Sequence, residues 1–278
     1  MKVALVTDSN AQIPAVLIER YAVGVVPLTI VVDRHEYAEG VDLDPAWFYE
    51  RLRDGASVST AAPSPGAVLE LYEAAAATGA DAILSIHIGS NTSATLNSVA
   101  IAARMSRVPV AVVDTGTASF AVGCCVWAAG ACLAHEGSLD EARRAAESVA
   151  SQIGNVFVVG ALDLAASGGR LGRDAVSGIG VPVLALEAGA MTPIARARDV
   201  REAVEVMVDH VTTRSRGVAL RIGVGDALAA DLASDLVAGL HAVEPRHEIV
   251  RYAIGPSVGA HTGAGTVGAV FFPKGGPT

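Results

Sequence analysis

The chain has 278 residues, of which 51% are hydrophobic and 18% charged, and its formal net charge is −9 at pH 7. This composition predicts a substantial buried core, and an aromatic share of only 4% means that the core consists mainly of Ala, Val, Leu and Ile. The negative charge argues against sequence-independent binding of nucleic acid, which needs clustered cations.

The first half of the chain alternates strand and helix signals. Buried strands are predicted at Lys2–Asp8, Val23–Val32, Ala82–His87 and Val108–Val113. Helices are predicted at residues 14–21, 45–53, 66–77 and from the Ser93 segment to Met105. Strands that alternate with helices predict an α/β fold, here a three-layer α/β/α domain around a mostly parallel sheet.

Two successive helices lead into the second half. Ala118–Ala134 is apolar but shorter than the ~20 residues of a membrane-spanning helix, so it is predicted as a buried core helix. Leu139–Ile153 follows a capping box. Further strands are predicted at 155–159, 182–186, 218–224, 248–253 and 266–272, with helices starting at 199 and 226. The domain boundary is placed near Gly154, which gives N-terminal (1–154) and C-terminal (155–278) α/β domains.

The cysteines and the N-terminus bear on the cellular compartment. Cys124, Cys125 and Cys132 are the only cysteines, and all three lie in the apolar helix. An odd number in one segment argues against a disulfide framework and indicates a reducing cytoplasm. Buried thiols are favoured over a metal site. The N-terminal apolar run is too short for a signal peptide.

Four segments place hydroxyl, arginine or histidine side chains beside glycine or proline and are predicted as loops: residues 59–66, 90–95, 167–171 and 255–263. Loops on a rigid scaffold are where binding residues concentrate. Together these loops would supply hydroxyl groups, the guanidinium of Arg170 and the imidazole of His261. Such a set suits an anionic head group without a metal.

Three roles are open for Ser93. It could be a nucleophile with His261 as its base, as in a hydrolase, although no GxSxG motif surrounds it. It could cap the following helix. Alternatively, Ser93 and Thr95 could bind a carboxylate together with the free amides of the first helical turn.

Other candidates also have two interpretations. Arg170, after two glycines, could bind an anion or pair with a surface glutamate. Asp8 and Asp114 each end a predicted strand and could be carboxylate bases or turn caps. His87 lies on an apolar strand and is predicted to be a satisfied core histidine.

The segment Gly223-Val-Gly225-Asp follows a predicted strand and could begin a dinucleotide site. Leu228 stands where the third glycine of that motif belongs, so the motif is incomplete. No cofactor is therefore predicted.

The loops, in this order, resemble those of the DegV family of fatty-acid-binding proteins. The opening Val-Thr-Asp-Ser and the later Val-Pro-Leu match the start of that family. The segment around Thr60 is similar to its Thr-Ser-Gln-Pro-Ser loop, Thr92-Ser93-Ala94-Thr95 to its Leu-Ser-Gly-Thr, and the segment ending at Arg170 to its Gly-Gly-Arg. His261-Thr262-Gly263-Ala-Gly265 resembles its His-Thr-Gly-Pro-Gly. The resemblance covers residues 2 to 273.

The resemblance implies a two-domain α/β fold, with a mixed sheet in the C-terminal domain and a long acyl chain in a tunnel in the core between the domains. It implies that Thr60 and Ser93 hold the carboxylate of a fatty acid such as palmitate or oleate, that Thr92, Thr95 and Thr262 support these loops, and that His261 lies nearby. It further implies a carrier without catalysis of its own. Such a carrier presents the acid to a separate ATP-using fatty acid kinase, with Arg170 involved in the transfer. Ala61, Ala62 and Ala94 depart from the family pattern near the head group.

Overall fold

The computed structural model describes residues 1–167, 178–187 and 190–275, and the chain divides into two compact units. Within the described residues, the first unit comprises 1–44 and 57–152, and the second comprises 45–56, 153–167, 178–187 and 190–275. The segment 45–56 therefore belongs with the second unit although it comes early in the chain. The division into domains of residues 1–154 and 155–278 stays a prediction.

The strands are, in chain order, β1 (Val3–Asp8), β2 (Gly24–Val26), β3 (Thr29–Val32), β4 (His35–Ala38), β5 (Val58–Ala61), β6 (Ala82–His87), β7 (Val110–Asp114), β8 (Gly154–Val158), β9 (Val181–Glu187), β10 (Ala190–Ala197), β11 (Leu220–Asp226), β12 (Glu248–Ala253) and β13 (Val267–Pro273). The α-helices are α1 (Ala15–Tyr21), α2 (Pro45–Arg53), α3 (Pro65–Ala77), α4 (Thr95–Met105), α5 (Phe120–Ala134), α6 (Leu139–Ala150), α7 (Leu162–Ser167), α8 (Val200–Ser215), α9 (Ala230–Val243) and α10 (Pro256–Thr262). A 3₁₀ turn covers Ser9–Ala11.

A parallel four-stranded sheet in the order β2-β1-β6-β7 forms the centre of the first unit. On one face, Val6 and Ile83 pack against Val68 and Tyr72 of α3 and Val99 of α4. On the other face, α5 and α6 pack against the same strands. Because β6 is covered on both sides, all six of its residues are buried. The predicted α/β/α arrangement is confirmed.

The predicted strand region Val23–Val32 is divided into two strands at Pro27. The residues before the proline form β2 of the parallel sheet, and those after it form β3 in the middle of a separate antiparallel sheet, β4-β3-β5. Proline has no amide hydrogen to continue a ladder. The Leu28 amide donates instead to the hydroxyl of Ser9, at 2.9 Å.

The second unit is built on a six-stranded mixed sheet in the order β10-β9-β8-β13-β11-β12. Only β11 and β12 are paired in parallel, and every other neighbouring pair is antiparallel. Helices α8 and α9 cover one face, where a buried apolar cluster includes Met207, Leu236 and Ile222. An α/β fold with one parallel and one mixed sheet is therefore present.

The helix α5 confirms the prediction of a buried core helix. Its residues from Phe120 to Ala131 are all buried. Burial raises the pKa of the Cys124 thiol well above its usual value and that of Cys125 to about 12, so both thiols are neutral. Within the described residues, every helix is too short or too polar to cross a membrane.

Candidate functional site

Three parallel strands of the first unit end at one edge of the sheet, and each ends in a polar residue. β1 ends at Asp8, β6 at His87 and β7 at Asp114, and His87 is in register with Asp114. The carboxyl edge of a parallel sheet is where ligands of such folds usually lie. The loop Ile88–Ala94, here termed the head-group loop, leaves this edge after β6 and leads into α4.

The head-group loop is held by its own backbone and by the loop after β7. The Gly89 amide donates to the carbonyl of Thr117 at 2.8 Å, and the amides of Thr92 and Ser93 donate to the carbonyl of Gly89 at 2.9 and 3.1 Å. A Cβ atom at position 89 would lie 2.7 Å from the Cα of Gly116. Only glycine therefore fits where the two loops touch.

Ser93 and Thr95 are brought together at the start of α4. Their hydroxyl oxygens lie 2.9 Å apart, and the Thr95 amide donates to Oγ of Ser93 at 3.2 Å. Ser93 is half-buried and Thr95 is fully buried. One O–H proton serves the bond between the two hydroxyls, so the other can be donated to a ligand oxygen. Within the described residues, no Lys or Arg side chain bonds to this loop, so its donors are neutral.

The structure answers the question that the sequence left open for Asp114. Its carboxylate accepts hydrogen bonds from the amide and hydroxyl of Ser90, at 3.1 and 2.5 Å, and from the amide of Gly116 at 3.0 Å. Burial raises the pKa of Asp114, but these hydrogen bonds outweigh that effect and leave the pKa below its usual value. An ionised carboxylate that ties two loops together is a cap rather than a base.

Asp8 is the buried counterpart of Asp114. Oδ2 of Asp8 lies 2.9 Å from Nδ1 of His87, whose Nε2 lies 2.7 Å from Oγ of Ser85. Ser85 in turn lies 2.7 Å from the hydroxyl of Tyr72, and all four side chains are fully buried. The prediction of a satisfied core histidine is confirmed for His87. The partners were missed, although Ser85 and His87 alternate as the polar residues of one face of β6.

Thr60 lies on a strand, not in a loop as predicted. It belongs to β5, where it pairs with Ile30 of β3, and its side chain is exposed. Among the hydrogen bonds of the described residues, none joins Thr60 to Ser93. The hydroxyl of Thr92, in the head-group loop, donates to Oδ1 of Asn91 at 3.1 Å.

His261 and Thr262 belong to the second unit, on the short helix α10 rather than in a loop. Pro256 at the first position favours this helix, since its ring presets the helical φ. The Thr262 carbonyl accepts the amide of Ala161 at 2.9 Å and the hydroxyl of Thr266 at 2.9 Å. Thr262 is buried and His261 half-buried. Arg170 lies outside the described residues.

The glycines of the incomplete dinucleotide motif do not form a phosphate-binding turn. Gly223 and Gly225 lie inside β11, paired with both neighbouring strands. Asp226 ends that strand, and its carboxylate accepts the amide of Ala229 at 3.0 Å. The amide of Ala229, the donor at this end of the strand, is thus already bound to Asp226. Among the described residues, no group of three or more His, Cys, Asp or Glu side chains could hold a metal ion.

Residues 2–274 match the DegV family, which is described as a family of uncharacterised proteins. The chain belongs to the DegV family. A DegV domain-containing protein of Streptomyces coelicolor is 35% identical over 273 residues, which cover 96% of this chain and 97% of that relative. The resemblance inferred from the loops is confirmed.

Two solved DegV structures have the same fold over nearly the whole length. One is a DegV family protein from Thermus thermophilus, described for its fatty acid binding, with a TM-score of 0.84 and 29% identity over 98% of this chain and 100% of that one. The other is DegV of Bacillus subtilis, described as a fatty acid binding protein, with a TM-score of 0.85 and 26% identity over 99% of this chain and 100% of that one.

Proposed function

We propose that this DegV protein binds a long-chain fatty acid, such as palmitate or oleate, and carries it without catalysis of its own. The observation that carries the proposal is the pair of hydroxyls of Ser93 and Thr95 at the start of α4, on the edge of a parallel sheet. The fatty acid binding described for the two structural relatives supports it.

The chemistry of the pair suits a carboxylate. A hydroxyl proton and the amides of a helix's first turn can each donate to an anion, and the helix dipole favours negative charge there. Hydroxyl and amide donors hold a carboxylate without neutralising it, which suits a carrier that must release the acid. Thr60 is proposed as the second carboxylate ligand and His261 as a neighbouring polar group, with Thr262 supporting its loop.

The first experiment asks whether the acid is the ligand. Solvent extraction of the purified protein followed by mass spectrometry should yield a long-chain fatty acid. Palmitate or oleate added to delipidated protein should raise its Tm, because a ligand of the folded state stabilises it by mass action. If no acid is extracted and neither acid raises Tm, the proposal is wrong.

The second experiment asks which hydroxyls bind the carboxylate. Ser93→Ala and Thr60→Val should each weaken palmitate binding about ten- to a hundredfold, the effect of one charge-assisted hydrogen bond of roughly 1.5–3 kcal/mol. Matched controls are Ser98→Ala, one turn further along α4, and Ser59→Ala, which points to the opposite face of β5. Each substitution should reduce the affinity for methyl palmitate much less than the affinity for palmitate. Equal reductions would contradict a role in binding the carboxylate.

The acid is proposed to be presented to a separate ATP-dependent kinase in the cytoplasm. In that step a carboxylate oxygen takes the γ-phosphoryl group of ATP, giving an acyl phosphate and ADP. Arg170 is proposed to stabilise the charge in this transfer. Arg170→Ala should then leave palmitate affinity nearly unchanged and sharply reduce acyl-phosphate formation with the kinase. Parallel loss of both would make Arg170 a ligand of the bound acid instead.

A further inference from the structure

Asp8 is a buried carboxylate with hydrogen bonds to several parts of the chain. Its Oδ1 accepts the amide of Asn10 at 3.1 Å, and its Oδ2 accepts the amide of Ile88 at 3.1 Å and lies 2.9 Å from Nδ1 of His87. Burying a carboxylate costs free energy unless several donors replace its water. Here all three partners belong to the edge of the sheet from which the head-group loop leaves.

The hydrogen bonds behind Asp8 run in one direction. Nδ1 of His87 must carry a proton to donate to Asp8, so Nε2 of a neutral imidazole accepts from Ser85, and Ser85 accepts from Tyr72. In the reverse direction the Tyr72 hydroxyl would accept from Ser85. In the described part of the chain Ser85 is the only partner of Tyr72, so the Tyr72 O–H would then have no acceptor. The complete network therefore requires the Nδ1–H tautomer of His87.

The same carboxylate connects the loops that follow three strands. It binds the loop after β1 through Asn10 and the loop after β6 through Ile88. Oδ1 of Asn10 accepts the amide of Ser119 at 2.8 Å, which adds the loop after β7. Ser119 has φ 60° and ψ −155°, a conformation that non-glycine residues adopt only when their surroundings enforce it.

We infer that Asp8 is a positioning residue for the fatty acid carboxylate. Through Ile88 it fixes the start of the head-group loop, and so the place of the Ser93 and Thr95 hydroxyls, while His87 orients the Asp8 carboxylate. Asp8 does not touch the ligand and acts through this loop. The inference rests on the proposed function. It adds a role for the buried hydrogen-bond network of Asp8, whose residues do not themselves contact the ligand.

The test compares Asp8→Asn with Tyr72→Phe. In the Asp8→Asn variant one carboxylate oxygen becomes an NH2 group, so three donors share one acceptor oxygen. That neutral amide oxygen is also a weaker acceptor than a carboxylate oxygen, which weakens the hold on Ile88. Palmitate affinity should fall about tenfold, and methyl palmitate affinity should stay within about twofold. Tyr72→Phe removes the far end of the same network, so it should lower Tm but leave the ratio of the two affinities unchanged.

A spectroscopic measurement separates positioning from mere stability. Nitrogen chemical shifts of the His87 ring, measured by NMR on uniformly labelled protein without ligand, should show Nδ1–H in the wild type. An Nε2–H tautomer in the wild type would overturn the inference. So would a result in which Asp8→Asn and Tyr72→Phe both lower Tm and neither changes the palmitate-to-ester ratio.

A second pair of variants keeps the inference testable if Asp8→Asn does not fold. His87→Asn retains a side-chain donor toward Asp8, whereas His87→Leu has none. His87→Leu should lower the ratio of palmitate affinity to methyl palmitate affinity, and His87→Asn should keep that ratio close to the wild-type value. An equal ratio in the two variants would count against the inference. If the wild type binds palmitate and methyl palmitate equally well, the proposed head-group site itself is wrong. If the wild type prefers palmitate and Asp8→Asn prefers it to the same degree, only the inference about Asp8 is wrong.

Discussion

The loop after β6 and the loop after β11 share a sequence pattern but differ in structure. Each follows a buried strand, contains or follows glycine, and leads into a helix. After β6, Gly89 lies in the loop itself, pressed against Gly116, and the hydroxyls of Ser93 and Thr95 meet at the helix start. One of the two hydroxyl protons is not used in the bond between them.

After β11 the glycines are still inside the strand when the turn begins. Gly225 faces the ring of Tyr252 on the neighbouring strand, and the carboxylate of Asp226 takes the Ala229 amide in the turn. This loop satisfies its own donor. The difference arises because the strand continues past the glycines, and an acidic side chain rather than a hydroxyl then stands at its end.

The largest effect is expected from adding a methyl group at each of the two glycines. Gly89→Ala should displace the head-group loop, because its Cβ would lie 2.7 Å from the Gly116 backbone, and should weaken palmitate binding at least about tenfold. Gly225→Ala would overlap the Tyr252 ring and should destabilise the second unit by roughly 1–3 kcal/mol. Titration of folded Gly89→Ala protein with palmitate measures the first effect, and urea unfolding of Gly225→Ala measures the second.

Gly66→Ala is the control for both substitutions. A Cβ atom there lies 3.7 Å from Oγ of Ser64, an ordinary contact, and the position is in the first turn of α3. We expect unchanged palmitate binding and a stability change of at most about 1 kcal/mol, toward greater stability. A Gly89→Ala variant that binds palmitate like the wild type would contradict the account of the head-group loop.

An intermediate effect is expected from His247 in the second unit. Its Nδ1 accepts a hydrogen bond from the amide of Leu220 at 3.0 Å. Burial lowers the pKa of His247; the charge of Glu244 raises this pKa, whereas those of His241 and Arg246 lower it further. A lowered histidine pKa means that the unfolded chain takes up the proton first. The second unit should thus be most stable above about pH 6.5 and lose stability, on the order of 1 kcal/mol, as the pH falls below it.

His247→Asn tests this pH dependence, because Asn can keep an acceptor near Nδ1 but does not titrate. The two tryptophans, Trp47 in the second unit and Trp127 in the first, allow the units to be followed separately. In a Trp127→Phe background, urea unfolding monitored by Trp47 fluorescence should lose its dependence on pH between about 7.5 and about 5. An unchanged dependence would exclude His247 as its source.

The smallest effect is expected from Asp114. Its lowered pKa means that its contribution is present above about pH 3.9 and is lost as the pH falls through the lower folded pKa. Because the side chain is exposed, the contribution should be less than about 1 kcal/mol. In a Trp47→Phe background, Asp114→Asn should flatten the acid limb of unfolding followed by Trp127, while a larger loss at neutral pH would show that Asp114 does more than cap two loops.

The elements with strong local signals could be predicted from the sequence. The apolar run of α5, the capping box of α6, and the alternation of strands and helices in the first unit depend on residues close together in the chain, so periodicity and capping chemistry reveal them. The loop motifs were specific enough to indicate the DegV family. Ser93 and Thr95 could be named as partners because only one residue separates them.

The features that the sequence did not reveal depend on contacts between residues distant in the chain. Pro27 divides an apolar run between two sheets, and Thr60 is on a strand because Ile30 pairs with it. Asp8, His87 and Tyr72 meet only because β1, β6 and α3 pack together. Sequence spacing carries no information about such pairings, so only the tertiary structure decided which polar residues became buried partners.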